Sequence, residues 1–85
     1  MAKIEIYSKN HCPYCMQTKA LFEEKGVEFV EYDIIEDESK QKEMMERSGG
    51  TLMTVPQIYI NDELIGGYTD LQALEDEGVL DEKLK

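Results

Sequence analysis

Charged and apolar residues alternate from Lys3 to Tyr7, a period of two that predicts a β-strand. A turn-like Ser8-Lys9-Asn10-His11 follows. Pro13 then suits the first turn of a helix, where a residue without an N–H loses nothing. The helix is expected to run to about Lys25 and to stop at Gly26, a favoured residue just past a helix end. On its axis Cys15, Thr18, Leu21, Phe22 and Lys25 fall on one side. Val27 to Ile35 is rich in β-branched and aromatic residues and predicts a second strand. Strand, helix, strand in that order implies a parallel pair joined by a right-handed crossover.

Asp37 to Arg47 is charged except for Met44 and Met45 and predicts a second helix, ended by Ser48-Gly49-Gly50. Gln57 to Ile60 predicts a short strand, with Pro56 placed where it spares the ladder. Asn61-Asp62 is a tight-turn dipeptide, so Glu63 to Ile65 should pair back as a hairpin. Gly66-Gly67 breaks that strand. Thr69 and Gln72 have the spacing of a capping box, which predicts a last helix from Thr69 to near Gly78. The order β-α-β-α-β-β-α gives an α/β fold: a four-stranded mixed sheet with helices on both faces.

Composition narrows the function. The 85 residues carry 9 basic and 19 acidic side chains, a net charge of −10. Residues 1–30 are neutral overall, so residues 31–85 hold all of the excess. So acidic a chain is unsuited to nucleic acid or to an anionic membrane surface. No apolar run is long enough to span a bilayer, and Glu5 interrupts any export signal, so a cytoplasmic protein of one domain, residues 1–85, is expected.

Two cysteines, three positions apart, are too few for a disulfide scaffold and point to redox chemistry or metal binding. Cys12-Pro13-Tyr14-Cys15 stands where a strand hands over to a helix. Cys12 would sit at or beside the N-cap, where orphan N–H groups and the positive helix end favour a thiolate. Lys9 and His11 add nearby positive or polar character. Cys15, one turn on, should face the interior with a higher pKa. Cys12 is then the nucleophile and Cys15 the resolving thiol. Against this, zinc asks for four ligands, and only Cys12, Cys15 and His11 lie close in sequence, so no metal is expected.

At these residues the chain resembles the glutaredoxins of the small dithiol Cys-Pro-Tyr-Cys class. Tyr7-Ser8-Lys9 precedes the motif, Lys25-Gly26-Val27 closes the first helix, and Arg47-Ser48-Gly49 precedes the loop. Thr54-Val55-Pro56-Gln57-Ile58 matches the cis-proline segment of that family, and Gly66-Gly67 with Asp70-Leu71 its glycine pair and acidic position. The resemblance implies a thioredoxin-like fold with sheet order 2-1-3-4 and three flanking helices. It also implies glutathione as co-substrate, disulfide-containing or glutathionylated proteins as partners, and a monomer.

The resemblance further implies a glutathione site made of Lys9, Tyr14, Thr54, Val55, Pro56, Gly67, Tyr68, Thr69 and Asp70. The Val55 backbone would pair with the cysteinyl unit like an added strand. The N-terminus of the last helix would hold the γ-glutamyl carboxylate, with Thr69 and Asp70 beside it. Lys9 would meet the glycyl carboxylate. Two positions depart from the family pattern: Thr51-Leu52-Met53 lacks the common basic residue, and Tyr68-Thr69-Asp70 stands where Cys-Asp-Asp is frequent. Two other readings stay open. One is a redoxin fed by a flavoprotein reductase and serving ribonucleotide reductase. The other is a dimer carrying a [2Fe–2S] cluster, which Pro13 disfavours.

Overall fold

The computed structural model describes residues 2–9, 12–49 and 55–84. Four strands, β1 (Ile4–Ser8), β2 (Val30–Asp33), β3 (Gln57–Ile60) and β4 (Glu63–Gly66), form one sheet in the order β2-β1-β3-β4. β2 runs parallel to β1, while β3 is antiparallel to both β1 and β4. Helix α1 (Pro13–Glu24) makes the β1–β2 crossover, α2 (Glu38–Arg47) connects β2 toward β3, and α3 (Tyr68–Asp76) follows the hairpin. This is the expected thioredoxin-like order. A further helical turn, α4 (Leu80–Lys83), lies beyond the last helix foreseen from the sequence.

Alternation along the central strands sorts the core into two layers. Ile4 and Ile6 of β1 and Ile58 and Ile60 of β3 pack with Phe22, Leu71 and Leu80. Tyr7 and Tyr59 point the other way, onto Ile34 and Met44. Because helices cover both faces, all five residues of β1 are buried, Glu5 included. Glu5 is compensated by Arg47, whose guanidinium stands 3.1 Å from its carboxylate and 3.9 Å from the centre of the Tyr59 ring. Each fully buried Ile or Phe contributes about 1.5–3 kcal/mol by leaving water.

Several boundaries differ from those the sequence predicts, among them Gly66, which ends β4 as its last residue instead of breaking the strand before it. β2 spans Val30–Asp33, not Val27 to Ile35, because among the described residues it pairs with β1 alone and their register runs from Glu5↔Val30 to Ser8↔Asp33. Val27 instead donates its N–H to Phe22 O at 3.2 Å, closing α1. Helix α3 begins at Tyr68 with Gly67 as N-cap, so the Thr69–Gln72 capping box does not form. Asp70 caps in its place, its carboxylate accepting the Gly67 N–H at 3.0 Å, and Thr69 lies inside the first turn. α4 forms because Leu80 is drawn into the core while Glu82 N–H and Lys83 N–H reach Val79 O. Asn61 and Asp62 make the hairpin turn with φ of 52° and 67°, a left-handed pair that Asn and Asp tolerate.

Candidate active site

β1 delivers the chain to Cys12, which is the N-cap of α1, and Pro13 follows in the first helical position. The Cys12 Sγ accepts the Cys15 N–H at 3.4 Å. A thiol therefore does here what a serine or aspartate oxygen does at an ordinary cap, and a thiolate does it better, because the acceptor is charged. No acidic residue occupies the first turn of α1. On its other side the Cys12 thiol faces the Val55 carbonyl at 3.9 Å. The Val55–Pro56 peptide is cis, as the resemblance implied.

The two sulfurs are not equivalent. Cys12 retains 7% of its surface and Cys15 retains 1%. Burial pushes the Cys12 thiol up, but hydrogen bonds from the Cys15 thiol and from the Cys15 and Tyr14 N–H groups, with the Lys9 charge, outweigh it; the net shift is downward. Burial is also the largest influence on Cys15. It combines with the hydrogen bond to Cys12 to push that thiol up to about 12, against a smaller lowering by the Lys9 N–H. The arrangement can therefore hold one thiolate that keeps a small opening to solvent and keep a second, fully buried thiol protonated beneath it. That is the equipment of stepwise thiol–disulfide exchange.

The start of α3 flanks the Val55–Pro56 segment at the end of the sheet. Pro56 is buried, and its carbonyl lies 3.6 Å from where a Cβ on Gly67 would stand. Gly66 has φ +117°, and a side chain there would collide with the Asp70 carboxylate. That glycine is thus needed both for its backbone and for the space Asp70 fills. Leu71 N–H makes the first helical bond of α3, to Gly67 O at 3.1 Å, leaving the N–H groups before it directed outward at the positive end of the helix. Thr69 and Asp70 are exposed there.

The structure brings Cys12, Val55, Pro56 and Gly67 together, and places Tyr14 against Tyr68, the rings 5.9 Å apart. Lys9 is exposed at the end of β1, within electrostatic reach of Cys12. His11, Thr51, Leu52, Met53 and Thr54 lie outside the described residues. The Tyr14–Tyr68 contact was not foreseen, since 54 positions of sequence separate the two rings and no local pattern joins them. Among the described residues, no cluster of three His, Cys, Asp or Glu side chains could hold a metal. A cavity of about 310 Å³ lined by Ala2, Ile4, Val27 and Leu84 lies at the opposite end of β1 from the cysteines.

Comparison with known proteins agrees with this geometry. The glutaredoxin family profile matches residues 4–65. Glutaredoxin 3 of Escherichia coli K12 is 52% identical over all 85 residues, with both chains fully covered. The solution structure of a glutaredoxin from Brucella melitensis superposes with a TM-score of 0.82 at 48% identity, covering 100% of this chain and 90% of that one. The dithiolic glutaredoxin of Trypanosoma brucei brucei gives a TM-score of 0.86 at 31% identity, covering 98% and 87%.

Proposed function

The chain belongs to the glutaredoxin family and is a thiol–disulfide oxidoreductase; from that premise we propose that it uses glutathione to reduce protein disulfides and glutathione mixed disulfides. The observation that carries this reading is the position of Cys12. Its sulfur is the cap acceptor of α1, beside an open carbonyl and the N-terminus of a second helix. The Cys12 thiolate attacks one sulfur of the substrate disulfide, a new S–S bond forms, and the other sulfur leaves as a thiolate that takes up a proton. With a protein disulfide, Cys15 loses its proton and attacks Cys12, expelling the second substrate thiol and leaving Cys12–Cys15 oxidised. Two glutathiones then supply the two electrons and leave as glutathione disulfide. With a glutathionylated thiol, Cys12 takes the glutathionyl group, and a second glutathione removes it without help from Cys15.

The surrounding groups suit the tripeptide. Val55 offers backbone to its cysteinyl unit in the manner of an added strand. The outward N–H groups of α3 suit the γ-glutamyl carboxylate, with Asp70 near for the ammonium. Lys9 suits the glycyl carboxylate, and Thr54 and Tyr14 complete the list. We further propose one domain over residues 1–85 that works as a monomer in the cytoplasm. Among the described residues no helix is long and apolar enough to cross a membrane.

A turnover assay coupled to glutathione, on a small glutathione mixed disulfide, tests the reading. Turnover that needs Cys12 and saturates with glutathione is the expected result. Turnover only with a flavoprotein reductase, and none with glutathione, would overturn it.

A further inference from the structure

The rings of Tyr14 and Tyr68 lie 5.9 Å apart with planes 24° from parallel, an offset stack. Tyr14 sits between the two cysteines and is 55% exposed. Tyr68 is the first residue of α3, and its hydroxyl donates to Gln72 Oε1 at 2.9 Å. Gln72 in turn donates from Nε2 to Asp76 Oδ1 at 3.0 Å. Each link spans one helical turn, so the Tyr68 ring is tied along α3. Among the described residues the Tyr14 ring has no such tie, and it leans on the face of Tyr68.

Neither ring belongs to the two core clusters, so the stack is not what holds the sheet and helices together. What it joins are two walls of the active site: the turn that carries Cys12, and the Gly67 N-cap beside the Pro56 carbonyl. A half-exposed tyrosine without a neighbour would exchange among staggered rotamers. Stacked, it forms a fixed aromatic screen two residues on from Cys12. A slender disulfide can lie along that screen and touch it with its methylene groups. A disulfide carried on a folded surface must clear the ring with its own flanking residues.

We propose that Tyr68 is a positioning residue that sets substrate preference: by holding Tyr14 upright, it favours small, flexible mixed disulfides over disulfides embedded in folded proteins. The proposal rests on the assignment of Cys12 as nucleophile made above.

Single-turnover kinetics of the prereduced protein test it without any coupling system. Wild type, Tyr14→Leu, Tyr68→Leu, the double variant and Tyr68→Phe are compared. The substrates are a glutathionylated peptide, the same peptide as its 2-mercaptoethanol mixed disulfide, and oxidised insulin. Tyr68→Leu is expected to raise the half-saturating concentration of both peptide disulfides by about two- to tenfold with the saturating rate preserved, and to speed the reaction with insulin. Tyr68→Phe keeps the ring but loses the hydroxyl tie to Gln72, so it should fall between wild type and Tyr68→Leu. Tyr14→Leu should copy Tyr68→Leu, and the double variant should be no worse than either single change, because both remove one screen. Additive effects, or equal losses on peptide and insulin, would overturn the proposal. Failure of the glutathione reading has a separate signature: wild type then handles the glutathionyl and 2-mercaptoethanol disulfides alike, while the cycle still reports on the screen.

Discussion

The Cys15 N–H donates to the Cys12 Sγ at 3.4 Å, so the backbone of the more buried cysteine stabilises the thiolate of the less buried one. Together with the burial of Cys15, this hydrogen bond helps to separate the two thiols into different chemical roles. It favours charge on Cys12, and a negative Cys12 makes a second charge on Cys15 still harder to form.

The first expectation is the order of ionisation. Cys12 lies below the ordinary cysteine range and Cys15 rises to about 12. Thiolate absorbance followed against pH in Cys15→Ser and Cys12→Ser should show this directly. The rate of the first exchange should fall as pH drops through the Cys12 value. For stability the two thiols act oppositely: the lowered Cys12 contributes stabilisation present above its unfolded value and lost as pH falls through the folded one, whereas the raised Cys15 contributes stabilisation present below its unfolded value and lost as pH rises toward about 12. A more acidic Cys15 would contradict the assignment of roles.

Cys15→Ser should keep deglutathionylation and lose most protein-disulfide reduction. The first reaction is completed by a second glutathione, whereas the second needs an internal thiol to release the partner. Trapping of the partner as a mixed disulfide on Cys12, seen by mass spectrometry, is the expected accompaniment. Parallel loss of both activities would speak against the division.

The two glycines before α3 should respond unequally. Gly66→Ala demands φ +117° of a residue with a Cβ and drives that Cβ into the Asp70 carboxylate, so it should cost about 1–3 kcal/mol and weaken glutathione binding as Asp70 shifts. Gly67 has extended backbone and meets only the Pro56 carbonyl at ordinary contact distance, so Gly67→Ala should fold nearly as wild type. Denaturant titration of both variants compares them. Equal stability of the two would show that the Asp70 cap is dispensable.

Lys9→Ala should act in two ways. Removing the charge raises the Cys12 pKa, moving the acid limb of the rate profile upward. Well above that limb, KM for a glutathionylated substrate should rise by up to about fivefold with kcat held, because an exposed contact of this kind is made in ground and transition states alike. Added salt should shrink the wild-type advantage. An unchanged KM would mean that the glycyl end is held elsewhere.

Much of this molecule is fixed by short-range pattern. The alternation in β1, Pro13 at N1, Gly26 past α1 and the Asn61-Asp62 turn each act within a few residues, and each element formed where the local signal stood. Cys12 as N-cap was legible for the same reason, since a cap is defined by the residues that follow it. The sequence could not say where β2 ends, because an edge strand stops with its neighbour's ladder. Nor could it choose between Thr69 and Gly67 as the cap of α3. That choice turns on the Asp70 carboxylate, which needs the empty space over Gly66. The burial of Glu5 against Arg47, the nearness of Val55 to Cys12 and the stacking of Tyr14 on Tyr68 join residues 42, 43 and 54 positions apart. Contacts of that range leave no periodicity in the chain; they exist only once the sheet has ordered its strands and brought the starts of α1 and α3 to the same end.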